Sequence, residues 1–84
     1  MNFDITCEIS ELKNTILSCK AVSDSFFNEF VAGTPDKNMR AIQNDPEKHA
    51  YLYNAMAQLL RDAAQRAAAI EAQADAAYQQ EQPA

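Results

Sequence analysis

The sequence predicts an all-α fold, an antiparallel hairpin of two long helices joined by a short helix. Three observations predict it: apolar residues recur every three or four positions in the first third of the chain, two proline-containing helix starts follow, and the last third is rich in alanine. We expect helices over 6–32, 35–43 and 46–79, which form a single helical domain over 1–79, and a disordered tail over 80–84.

The first long helix is predicted from an apolar stripe. Spacings that alternate between three and four are typical of an amphipathic helix that packs against another helix. Thr6 is the predicted N-cap, and Gly33, the only glycine, suits the left-handed position that ends many helices. The stripe comprises Ile5, Ile9, Leu12, Ile16, Cys19, Ser23, Phe26 and Phe30.

The other two helices begin at similar signals, in which a capping residue precedes a proline and an acid. These signals are Thr34-Pro35-Asp36 and Asp45-Pro46-Glu47. Proline is favoured in the first helical turn, and an acid there complements the helix dipole. Beyond the second signal the alanine content favours a long helix.

The apolar residues of the two long helices also predict how the helices align with each other. If Phe30 lies opposite His49, the antiparallel pairing places Phe26 near Tyr53. The bulky residues of the first helix then face alanines of the second, among them Ala67, and large residues against small ones allow a close approach.

Both long helices carry more apolar surface than one hairpin seam can bury. Leu17, Val22 and Phe27 lie off the first stripe, and Leu59 and Leu60 point about 100° apart. Small domains often need an additional source of stability. We expect a homodimer that completes a four-helix bundle, with Leu17, Val22, Phe27 and Leu59 at the dimer or partner interface. A helix of another protein would satisfy the same surface.

Aromatic residues gather where the hairpin turns. Phe26, Phe30, Tyr51 and Tyr53 meet there in the predicted register. The favoured interpretation is a packed core, because aromatic side chains dominate core burial. The alternative is an apolar ligand pocket in which the two phenols supply polar specificity.

No catalytic or metal site is predicted. His49 is the single histidine, the chain has one glycine, and the acid pairs Glu8–Glu11 and Glu71–Asp75 fall on helix faces that meet water. A metal site needs several converging ligands, and a phosphate loop needs several glycines. We therefore expect neither enzyme activity nor a cofactor.

Charge and cysteine content limit the partners and the compartment. The net charge is −5 with no basic face, which argues against direct nucleic-acid binding and against membrane binding. The sequence shows neither a signal peptide nor an apolar membrane span. Cys7 is predicted to be exposed and Cys19 buried, and an exposed thiol suits a reducing compartment, so we expect a cytoplasmic protein.

These observations favour a non-enzymatic protein-interaction module, such as an adaptor, an inhibitor or an accessory factor, that acts through apolar helical surface. Two alternatives remain open. One is a helical bundle that binds a small ligand at the aromatic end, and the other is an acidic mimic of nucleic acid. The acids, 12 in 84 residues, are thinly spread for a mimic.

Overall fold

A computed structural model describes residues 4–81, and over this range the chain is all-helical, as predicted. Its helices are α1 (Ile5–Phe30), α2 (Pro35–Asn44) and α3 (Pro46–Glu81). Contacts between α1 and α3 run in opposite orders along the two helices: Lys48 of α3 pairs with Glu29, whereas Arg66 pairs with Glu8. The two long helices are therefore antiparallel.

The helix α1 begins earlier than predicted. Asp4 is its N-cap, and the carboxylate of Asp4 accepts a hydrogen bond of 3.1 Å from the backbone N–H of Cys7. Thr6, the predicted cap, lies inside the first turn. Aspartate at this position satisfies a free N–H and also places a negative charge at the positive end of the helix dipole, so it competes well with threonine.

The end of α1 also differs from the prediction. The helix stops at Phe30 rather than at residue 32, and Val31 is the C-cap. Gly33 does not adopt a left-handed conformation. Its lack of a side chain matters for another reason: a Cβ there would lie 3.1 Å from Asn38 Oδ1 and 3.4 Å from Lys37 Cβ.

Asn38 explains that close approach, because its side chain ties α1 to α2. Its Oδ1 accepts a hydrogen bond of 3.1 Å from the Gly33 N–H, and its Nδ2 donates to the carbonyls of Val31 and Gly33. The side chain thus satisfies backbone groups that the end of α1 leaves without helical partners. Nothing in the spacing of the sequence marks this residue.

Both proline signals open helices. Thr34 accepts a hydrogen bond from the Lys37 N–H at the start of α2, and Asp45 accepts one from the Lys48 N–H at the start of α3. At its far end α3 continues through Gln80 and Glu81, where a disordered tail was predicted. The rest of that predicted tail, 82–84, lies outside the described residues.

The seam between α1 and α3 is narrow and follows a slightly different line from the predicted stripe. Only Cys19 and Phe30 are buried among the described residues, at 8% and 4% exposure, while Cys7 is exposed as predicted. On α1, Ile9 and Ile16 lie outside the seam. On α3, Ala67 is exposed, and Arg66 faces α1 in its place. A 3.5-residue repeat drifts by about 20° per heptad on a straight helix, so the line of contact leaves the heptad stripe.

Candidate protein-interaction surface

The turn end of the hairpin, where α1 meets the start of α3, holds a packed cluster of rings. Phe26 lies 5.7 Å from Phe30 and 6.2 Å from Tyr53 between ring centroids. The imidazole of His49 lies 5.1 Å from Phe26 and 5.0 Å from Phe30, the latter edge-on. The predicted register of Phe30 with His49 and of Phe26 with Tyr53 is confirmed. His49 itself is half-buried between two phenyl rings.

The four residues of the suggested ligand pocket do not converge. Phe26 packs against both Phe30 and Tyr53, but Tyr51 is 72% exposed and lies on another side of α3. Tyr51 and Tyr53 are two positions apart in the sequence, which on a helix is a rotation of about 200°. Their two phenols therefore cannot line one cavity. Phe26 packs on both neighbouring rings in a tilted arrangement, and aromatic pairs at these distances are typical of a core.

The four residues predicted to bind a partner lie on different sides of the hairpin. Leu17 is half-exposed on the side of α1 that faces away from α3, and Phe27 is half-exposed on a flank. Val22 and Leu59 are half-buried, and Leu59 lies on the α1-facing side of α3. Of the four, Phe27 alone belongs to a larger apolar surface.

That larger surface covers one broad side of the hairpin, and we call it the broad apolar face. It comprises Ile9, Ile16 and Phe27 of α1 and Tyr53 and Leu60 of α3, each between 51% and 57% exposed. Viewed along its helix axis, each side chain is rotated about 70–95° away from the seam. The rotation has the sense in which the residue number increases. In two antiparallel right-handed helices that sense of rotation leads to the same side of the pair. These five side chains therefore lie on the same side of the hairpin, where the exposed Lys20 stands between Ile16 and Phe27 along α1.

The opposite side of the hairpin is polar. Arg66 Nη1 lies 2.7 Å from Glu11 Oε2 and 3.4 Å from Glu8 Oε2, and Lys48 Nζ lies 2.6 Å from Glu29 Oε1. The hydrogen bond to Glu29 raises the pKa of Lys48. An open depression of about 320 Å³ is lined by Glu8, Asp62, Gln65, Arg66 and Ala69. Because these acids lie beside bases of the same chain, this side does not resemble the uninterrupted negative surface of a nucleic-acid mimic.

At the open end, the end remote from the turn, α3 extends beyond α1. Arg66 is level with Glu8 and Glu11, and α1 begins at Ile5, so α3 has no α1 residue beside it after about residue 72. The remaining residues to Glu81 form an overhang of about 13 Å. Its side chains from Gln73 to Gln80 are exposed, and they include Tyr78 on the same flank as Leu60.

None of the three helices within residues 4–81 has an apolar stretch of the length that a membrane span requires. Over the same range no three His, Cys, Asp or Glu side chains come together as metal ligands would. No protein-family model, curated protein or solved structure is similar enough to this chain to count as a match.

Sequence reasoning recognised surplus apolar residues but assigned them wrongly to sides of the hairpin. Ile9 and Ile16 were expected in the seam, and they lie on the broad apolar face instead. Leu60 was counted among the surplus residues, and Tyr53, expected near Phe26, packs against Phe26 while remaining 55% exposed. A signal was present, because α3 carries Tyr53, Leu60, Ala67 and Ala74 at intervals of seven, a second stripe beside the seam.

Proposed function

We propose that this chain is a non-enzymatic protein-interaction module, an adaptor, inhibitor or accessory factor, that acts by presenting the broad apolar face to helices of a protein partner. The observation that carries the proposal is the exposure of Ile9, Ile16, Phe27, Tyr53 and Leu60 together on one side. Large exposed apolar side chains grouped on one side of a small protein mark interaction sites.

The overall dimensions support this proposal. The radius of gyration is 18.8 Å, against about 12 Å for a compact chain of 84 residues. The accessible surface is 6556 Å², about 1,500 Å² more than a compact monomer of this size exposes. A standard interface buries about 800 Å² on each partner, so the excess is large enough to form one.

The partner that this face fits is another pair of helices. Two helices side by side present a long shallow surface, and a second layer of two helices completes a four-helix bundle. A second copy of the chain is the simplest source of that layer, because a two-fold interface uses one patch twice. Cys7, an exposed free thiol, is consistent with the cytoplasmic location that we propose.

The test compares Ile16→Glu with Asn14→Glu. Both add one negative charge to α1, but Ile16 belongs to the broad apolar face, whereas Asn14 is exposed on the side away from it. We expect the native chain and Asn14→Glu to associate with protein, as measured by light scattering of the pure chain and by capture from the native host. Ile16→Glu should remain helical by circular dichroism but lose that association. Identical association by all three chains, or none by the native chain, would contradict the proposal.

A further inference from the structure

We propose that the broad apolar face is covered by a second copy of this chain in an antiparallel arrangement, in which the α3 overhang of each copy covers the aromatic turn end of the other. This inference rests on the proposed function and names its partner. It is carried by the length of the overhang and by the order of large and small residues along the face.

Two arrangements of a symmetric pair bring the broad faces together. In the parallel arrangement the two turns lie at the same end, and α1 packs on the partner's α3. In the antiparallel arrangement the turns lie at opposite ends, α3 packs on the partner's α3, and α1 packs on the partner's α1. Both are closed two-fold interfaces, so symmetry alone does not select one.

The overhang distinguishes them. In the parallel arrangement both overhangs project from the same end, past the first residues of both α1 helices, and their flanks meet no α1 residue. In the antiparallel arrangement each overhang lies alongside the turn end of the other copy. Tyr78, 64% exposed on the overhang, then meets the partner's copies of Phe27 and Tyr53. Aromatic rings buried in this way bring large contact areas.

The residues along α3 fit the antiparallel arrangement as well. The apolar face extends from Phe27, which is level with about residue 50 of α3, to Tyr78, so its midpoint is level with about Ala64. A two-fold axis between Ala63 and Ala64, half a residue from that midpoint, places Leu60 opposite the partner's Ala67 and Tyr53 opposite the partner's Ala74. Leu60 and Tyr53 thus each meet an alanine, which allows the two α3 helices to approach closely. The parallel arrangement would instead set Leu60 against Ile16.

The spacing between labels on two copies tests this arrangement directly. A spin label at Gln80→Cys, in a chain that also carries Cys7→Ser and Cys19→Ala, reports the separation of the two α3 ends by double electron–electron resonance. The antiparallel pair predicts about 50 Å, from about 33 residues of helix at 1.5 Å each. The parallel pair predicts less than about 25 Å, the diagonal of a bundle plus the labels. Asn28→Cys, exposed near the turn, should show the same contrast.

A second measurement tests the role of the overhang. Tyr78→Ala should weaken self-association by roughly tenfold or more, since aromatic anchors dominate interfaces. Gln79→Ala, the neighbouring exposed position, should leave the dissociation constant unchanged. Sedimentation equilibrium gives both values.

The outcomes separate this inference from the proposed function. A long label distance together with a weakened Tyr78→Ala pair supports the antiparallel dimer. A short distance, or equal affinities for the two variants, overturns it and leaves the interaction module standing. A chain that remains monomeric at all concentrations also overturns the antiparallel dimer. In that case the proposed interaction module is contradicted only if the Ile16→Glu variant and the native chain capture the same proteins.

Discussion

The two ends of this hairpin are built differently. At the turn end, four rings from α1 and α3 pack together and Phe30 is buried. At the open end, α1 contributes Ile5 and Ile9, which are both exposed, and α3 extends past the first turn of α1. The turn end has a small core within one chain, whereas the open end has apolar side chains and no second layer. A helix segment with few tertiary contacts is only marginally stable in water, so the partner that we propose should stabilise the open end more than the turn end.

The largest effect is expected at the turn end. Phe30→Ala removes the ring that packs on Phe26 and His49, and truncation of a buried phenylalanine costs about 3–5 kcal/mol. Tyr51→Ala, at an exposed aromatic position on α3, should change the free energy of unfolding little. Urea denaturation of both variants gives the comparison. Equal losses would mean that the ring cluster does not stabilise the turn end.

A smaller loss is expected for Asn38→Ala, which removes three hydrogen bonds to the backbone around Gly33. Leaving backbone groups without partners costs about 1–3 kcal/mol, less where water replaces the side chain. Asn28→Ala, on an exposed side of α1, is the matched control. If thermal melts show no difference between the two variants, Asn38 does not hold α2 against α1.

Ala67→Leu separates the hairpin seam from the broad apolar face. Ala67 is exposed in the single chain, so the larger side chain should not lower the stability of a dilute monomer. It should weaken self-association, because it overpacks the position opposite the partner's Leu60, at a cost of about 1–3 kcal/mol. Ala68→Leu, one position further round the helix, should affect neither quantity. If Ala67→Leu lowers the stability of the monomer, Ala67 packs against α1 in the seam.

The smallest effect is expected at the ion pairs of the open end. Arg66→Gln removes the contacts with Glu8 and Glu11, which are partly exposed, and such pairs contribute about 0.2–1 kcal/mol. The loss should shrink as salt is added, since exposed charges are screened. Arg61→Gln, whose guanidinium contacts Gln58 but no acid, is the control. A loss as large as that of Phe30→Ala would contradict the contrast between the two ends.

The predictable parts of the fold are those set by local chemistry. The prolines at 35 and 46 mark helix starts because proline fits the first turn, and the Phe30–His49 register follows from matching apolar residues across a turn. The cap of α1 was missed because Asp4 and Thr6 both suit the position. The sides of the hairpin were misassigned because a small drift per turn moves Ile16 out of the seam, and only the packed helices reveal its size. The loop role of Asn38 depends on three-dimensional proximity that no spacing encodes.

Hydrogen exchange measured at low and high micromolar concentration tests the central claim, that the open end of this hairpin is completed by a partner. If a second copy covers the broad apolar face, amides of α3 from Ile70 to Gln80 should gain protection as the concentration rises, because binding stabilises the assembled state. Amides around Phe30 and Tyr53 should be protected at both concentrations, since the ring cluster lies within one chain. Exchange at the open end that does not change with concentration would contradict the account.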